Sequence, residues 1–264
     1  MIAFSPVFMT RTDILCALLR YSGLAGFRAR RLHGKRSRSL IILAYHRVAE
    51  FQPESYPFDS AVISCAPTEF EREMLFLREH FDVISFHDMA LGRIEDCRNP
   101  LAITFDDGYK DNHDAALPVL LNCGLKATFF ITSGFIETGR LPWWDEIACL
   151  VKNCRKKELE FTGIPGCLSL GNADQRQHAF ERLLETAKGS PDRERLRLID
   201  ELRRQSSAPA VAGAERLMMN WGDVRNLVAC GMEIGSHTVS HPVLGNLGDE
   251  SLLAYELAES KARL

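Results

Sequence analysis

The sequence predicts an α/β fold in which parallel strands are joined by crossover helices. Three observations predict it. Short apolar runs recur along the chain, amphipathic helical stretches separate them, and Gly124 and Gly231 stand where a helix must stop before a strand. A barrel and an open doubly wound sheet both satisfy that rhythm.

Taken in order, "SLIILAYHRV" (39–48) is a continuous apolar run ending on Tyr45 and His46, the pattern of a strand covered on both faces. "PTEFEREMLFLREH" puts Phe70, Met74 and Leu77 at helical spacing, with Thr68 available as N-cap. "FDVIS" reads as a strand, "FHDMALGRIED" as a helix, and "LAITF" as a third strand. "DNHDAALPVLLNCG" is helical to Gly124, and "KATFFIT" is a fourth strand. From about 143 to 220 the pattern changes to charged helices such as "ADQRQHAFERLLETAKG", with no convincing strand; this is expected to be a helical insertion packed outside the sheet. "WGDVRNLVACG" resumes the rhythm before the strand "MEIGS", and "GDESLLAYELAESKARL" closes the chain as a helix with Leu253, Leu257 and Leu264 on one stripe. Five strands result, at about 40–46, 82–85, 101–106, 127–132 and 232–236. No fixed-period repeat and no low-complexity segment interrupts them.

With 264 residues, 46% hydrophobic and 25% charged, the chain is long enough for one large globular domain. Its net charge of −3 provides no overall basic field, and its one basic cluster has no accompanying aromatic platform, so a nucleic-acid partner is not expected. Eight cysteines are scattered without a CxxC pair, which reads as reduced, small apolar residues of a cytoplasmic protein. The N-terminal segment, 1–38, stands apart. "DILCALLRYSGLAG" is too short to span a bilayer and is interrupted by Arg20, and most basic residues follow it, the reverse of a signal peptide. Arg28, Arg30, Arg31, Lys35, Arg36 and Arg38 make it a surface helix and linker, or a peripheral contact with an anionic membrane.

Two short motifs carry chemistry. "TFDDG" places Asp106 and Asp107 at the end of the third strand, and "SHTVSH" places His237 and His241 just beyond the last. Neighbouring carboxylates disfavour each other's ionisation, so something nearby must compensate them. Two imidazoles spaced by one helical turn, together with a carboxylate, make a donor set suited to zinc or another first-row divalent ion. Parallel strands in one sheet end at the same rim, so both motifs can meet there. One aspartate can then bind the metal while the other takes a proton from water. Each motif has a plainer reading alone: DDG as a turn or cap, HxxxH as a chance helical pair. Their shared position at strand ends favours one site.

Together with "ILAYHRV", these residues closely resemble the polysaccharide deacetylase family, the NodB-like carbohydrate esterases, from about residue 39 to the end, including Trp144, Asp145 and Trp221. The resemblance implies a distorted (β/α) barrel, here incomplete at the C-terminus, over 39–264, and hydrolytic removal of acetyl groups from N-acetylated sugars of a polysaccharide or its precursor, in exopolysaccharide synthesis. It implies Asp106 as catalytic base and Asp107, His237 and His241 as ligands of a divalent ion, Zn2+ foremost, with Co2+ or Ni2+ as substitutes. His46, with Tyr45 before it, is expected to line the saccharide pocket; Asp111 and His113, just after the DDG turn, are the next residues to watch. His33, His80, His87 and His178 read as surface or packing residues. The family's arginine–proline motif and late histidine do not follow His241, which leads to the expectation of a truncated relative whose oxyanion donor and general acid are unaccounted for. A catalytically silent metal- and saccharide-binding domain is the alternative.

Overall fold

The computed structural model describes residues 40–53, 55–208, 211 and 213–264. The basic segment 1–38 and Cys16 lie outside the described residues. In chain order the strands are β1 (Ile41–Tyr45), β2 (Arg47–Val48), β3 (Ile63–Cys65), β4 (Asp82–Val83), β5 (Pro100–Phe105), β6 (Thr128–Ile131), β7 (Glu158–Leu159), β8 (Leu168–Ser169) and β9 (Glu233–Ser236). The helices are α1 (Pro67–His80), α2 (Phe86–Ala90), α3 (Leu117–Cys123), α4 (Trp143–Lys152), α5 (Ala173–Gly189), α6 (Asp192–Ser206), α7 (Trp221–Ala229) and α8 (Glu250–Arg263).

All five strands legible in the sequence join one parallel sheet, ordered β1-β5-β6-β9, with β4 paired to the start of β5. β5 is buried along its whole length, as a continuous apolar run requires of a strand covered on both faces. β1 has the same composition but not the same place. It pairs with β5 alone, at the sheet's edge among the described residues, and leaves Ile41 and Ile42 40% and 50% exposed. The expectation of two covered faces therefore fails for β1, because composition does not distinguish a central strand from an edge. The pairs β2–β3 and β7–β8 were not legible either; strands of two or three residues are too short to register a period.

Helix α1 buries Phe70, Met74 and Leu77, the expected stripe, each worth about 1.5–3 kcal/mol against exposure. Its start is Pro67 after Ala66, so Thr68 is not the cap; proline at the first helical position removes an N–H that would have lacked a partner. The stretch before α3 opens with a π-helical turn, Asn112–Ala116, and α3 ends on Gly124 at φ +66°. The closing helix α8 departs from expectation. Leu257 and Leu264 are 50% and 44% exposed, and the helix buries Glu256 and Ser260 instead. The face α8 turns inward meets backbone N–H groups, which need an acceptor rather than a leucine stripe.

Two apolar clusters organise the interior. One packs the sheet against α1, α3 and α7, through residues such as Phe105, Phe129, Leu120 and Leu227. The other belongs to 143–220 and joins α4, α5 and α6 to Tyr109 and Phe135, which come from the loops after β5 and β6. The insertion is thus not merely laid on the outside of the sheet; it packs at the rim where strands β5, β6 and β9 end. The seven described cysteines are all free thiols. No helix among the described residues is long and apolar enough to cross a membrane.

Candidate metal centre

The rim is built by two tight turns. After β5 the ladder continues one step, with Asp106 N–H donating to the Tyr45 carbonyl at 2.9 Å. The chain then reverses through two left-handed residues, Asp107 at φ +74° and Gly108 at φ +91°. This drives the Asp107 carboxyl into the interior, where it is 2% exposed. A Cβ at Gly108 would sit 3.2 Å from Ile136 Cδ1, so both the left-handed backbone and the packing select glycine there. After β9, His237 N–H donates to the Ile131 carbonyl at 2.9 Å, and Thr238 and His241 are again left-handed, at φ +66° and +54°. Such strain in residues other than glycine persists only where the surroundings enforce it, and it concentrates at functional sites.

The two histidines are therefore brought together by a non-helical loop, not by one turn of helix as their spacing suggested. The Thr238 hydroxyl closes that loop by accepting from His241 N–H at 3.0 Å. His237 Nε2 and His241 Nε2 lie 3.1 Å apart, and Asp107 Oδ1 lies 3.6 Å and 3.3 Å from them. Asp107, His237 and His241 are the group of His, Cys, Asp and Glu side chains among the described residues that converges in this way. Ligand bonds of about 2.0–2.1 Å in a tetrahedral site put neighbouring donor atoms about 3.3 Å apart, so the three separations fit one small ion. Asp107 Oδ1 and His241 Nδ1 are buried without a hydrogen-bond partner, a costly state for polar atoms that a cation beside Asp107 would relieve at the carboxylate.

The electrostatics agree. Burial, reinforced by the charges of Asp106 and Asp145, pushes the Asp107 carboxyl up to about 8. Burial also lowers His237, and burial with His237 close by takes His241 down to about 3. All three groups are biased to their neutral forms, the two imidazoles as free donors and the acid as one that gains from a positive neighbour.

Supports converge on the histidine loop from three sides. Thr132 Oγ1 donates to the His237 carbonyl, Ser133 N–H to the Thr238 carbonyl and Gly134 N–H to the Val239 carbonyl, at 3.1, 3.1 and 2.8 Å. From the insertion, Trp143 Nε1 donates to the His241 carbonyl at 2.9 Å, while the Trp144 ring stands edge-on to the His241 ring with centroids 4.6 Å apart. Trp144 Nε1 donates to the Tyr109 hydroxyl, which donates to Asp145, each at 2.7 Å. Glu256 reaches the same loop from α8.

The expected pocket residues divide. His46 follows β1 at the same rim, within electrostatic reach of both His237 and His241. Its carbonyl accepts from Asn112 Nδ2 at 2.7 Å, so the π-helical turn after the DDG motif anchors it. Tyr45 does not line a pocket. Alternation along β1 turns its ring into the core against Phe70 and Phe105, with its hydroxyl donating to Glu73, and this corrects the expectation for that residue. Asp111 accepts from Arg47 at 2.7 Å, and His113 pairs with Asp114 and Asn226, so neither joins the centre. The sequence missed the supports. Glu256 carried no local signal, while the paired tryptophans before Asp145 at the head of a helix were the visible trace of the other.

A sequence model of the family described as polysaccharide deacetylase matches residues 93–160, the stretch with the Asp106–Asp107 turn. The chain is also similar to YxkH of Bacillus subtilis (strain 168), which bears a polysaccharide deacetylase's name: 32% identical over 96 residues, 35% of this chain and 31% of that protein's length. Among solved structures it is similar to the Streptococcus pyogenes deacetylase PplD in complex with acetate (16% identity, TM-score 0.48, 84% of this chain and 66% of that one). It is similar likewise to IcaB from Ammonifex degensii (19% identity, TM-score 0.47, 86% and 69%). The match to the polysaccharide deacetylase model is carried by residues 93–160, and the chain spans about a third of the length of the curated relative it resembles.

Proposed function

We propose that residues 39–264 form a metal-dependent hydrolase that removes acetyl groups from N-acetylated sugars of a polysaccharide or its precursor. The observation that carries this reading is the convergence of Asp107, His237 and His241 on one point, with Asp106 beside them at the open rim. These three side chains would hold the ion. A divalent cation of the zinc type, when bound, polarises the acetyl carbonyl and makes hydroxide available near neutral pH. Asp106, next to the buried ligand but itself only partly buried, takes the proton from water as it attacks the carbonyl carbon. The C–N bond then breaks, acetate departs, and the sugar amine needs a proton. Among the described residues His46 is the remaining imidazole at that rim, and it supplies the proton to the amine nitrogen. This assigns a donor that the sequence left unaccounted for. Exopolysaccharide synthesis is the process such an activity would serve, and the basic segment 1–38 is suited to keep the enzyme in the cytoplasm at an anionic membrane surface.

Acetate release from N-acetylglucosamine oligomers by the zinc-loaded chain tests the reading, beside Asp106→Asn and His46→Ala. Loss of about 100-fold or more in each variant supports the assigned roles. A metal-loaded wild-type chain that releases no acetate refutes the hydrolase and leaves the silent binding domain.

A further inference from the structure

Helix α8 offers an unexpected group to the histidine loop. Glu256 is 3% exposed, and no cation pairs with it among the described residues. Its Oε2 instead accepts from Val239 N–H at 2.7 Å and Ser240 N–H at 2.9 Å, and its Oε1 accepts from the Ser240 hydroxyl at 2.6 Å. All three donors lie between His237 and His241. Two consecutive backbone N–H groups aimed at one carboxylate oxygen fix the direction of the chain, and charge-assisted bonds of this kind are stronger than neutral ones. The loop they fix contains two left-handed residues, Thr238 and His241, that an unsupported chain would abandon. A buried carboxylate is expensive unless its lone pairs are satisfied, and here the loop satisfies them, so helix and loop each depend on the other.

We infer that Glu256 is a positioning residue that sets the separation of the His237 and His241 imidazoles and thereby the affinity for the ion. The inference rests on the metal-centre reading and adds to it the element that holds the ligands in place. It explains why α8 turns Glu256 inward and leaves its neighbour Leu257 in solvent. The role is geometric: a glutamine at 256 keeps one oxygen for both backbone N–H groups, and the Ser240 hydroxyl can turn to accept from its amide. An alanine keeps nothing.

The test uses the full chain in four forms: wild type, Glu256→Gln, Glu256→Ala and Ser240→Ala, the last removing one contact with little risk to folding. Two readouts are taken. Amide hydrogen exchange at Val239 and Ser240 in the metal-free protein reports the clamp, and Co2+ titration followed by d–d absorption reports the centre. Glu256→Ala should lose protection at both amides and bind Co2+ about 10–100-fold more weakly, as removal of outer supports generally does. Glu256→Gln should stay within about threefold of wild type and Ser240→Ala should fall between, on the same scale. Leu227→Ala, in the core of α7, controls for general destabilisation and should leave the Co2+ spectrum unchanged. Unchanged protection in Glu256→Ala overturns the inference, as does lost protection with unchanged Co2+ affinity, or an equal loss of affinity in Leu227→Ala. A wild type that protects both amides yet binds no Co2+ overturns the metal centre itself, and with it a positioning role for Glu256.

Discussion

Replacing Gly134 with alanine would place a Cβ 2.3 Å from the Val239 carbonyl oxygen, 3.1 Å from its carbon and 3.1 Å from its Cγ1. Ordinary contact begins near 3.4 Å, so loop and strand end must separate by about 1 Å. That movement gives up the 2.8 Å bond from Gly134 N–H to the same oxygen and stretches the 3.1 Å bond from Ser133 N–H to Thr238. Each is worth about 1 kcal/mol, and overpacking adds about 1–3, so the folded state should lose about 2–4 kcal/mol. The same displacement carries His237 and His241 apart, and an outer-support defect of this size costs about 10–100-fold in metal affinity. Urea unfolding of the metal-free protein and Co2+ titration measure the two effects separately. Gly245→Ala is the control, because nothing lies within 4 Å of its Cβ. Gly134→Ala matching that control in both assays would refute the claim that the loop is sterically gauged by the turn after β6.

Other outcomes follow from the same geometry. Asp107→Asn should abolish both metal binding and turnover, whereas Asp106→Asn should keep stoichiometric metal and lose turnover, read by metal analysis beside acetate release. Asp145 has its carboxyl pushed up to about 7 by burial, against about 3.9 in the unfolded chain. The folded state then holds a proton that the unfolded state has shed, so stability falls as pH rises from about 4 to 7 and stays low above. Asp145→Asn should therefore gain on the wild type between pH 5 and 8, on the order of 2 kcal/mol by urea unfolding, and parallel curves would contradict it. Trp144→Phe keeps a ring beside His241 but removes the donor to Tyr109, and should cost about 1–2 kcal/mol in thermal unfolding. Leu257→Ser, at an exposed site, should change stability by no more than about 0.5 kcal/mol, whereas Leu227→Ala should cost about 2–5.

β5 and β6 were legible because they are apolar runs bounded by turn residues, a pattern that burial on both faces imposes, whereas β9, Glu233–Ser236, is mostly polar and half-buried and was legible only from the Gly231 stop that precedes it. The site was legible for a topological reason: parallel strands deliver Asp107 and His237 to the same rim whatever the details between them. What periodicity could not reveal was the path of the His237–His241 loop. Its conformation is set by contacts from Gly134, Trp143 and Glu256, at separations of 16 to 105 residues, and not by the intrinsic helical preference of a four-residue spacing. Tyr45 was misassigned for a related reason: a residue beside His46 on a strand faces the opposite side. The α8 leucine stripe failed because helical spacing identifies which side chains share a face, while the partner decides which face turns inward.

The outcomes for metal affinity and turnover all depend on Asp107, His237 and His241 holding a single divalent ion. The most direct test is metal analysis of the full chain after loading with Zn2+ or Co2+ and exhaustive removal of loosely bound metal, beside single alanine variants of the three residues. The account predicts one ion per chain in the wild type, with tetrahedral Co2+ absorption, and none retained in any of the variants. Stoichiometric metal surviving the loss of Asp107 or of either histidine would contradict it.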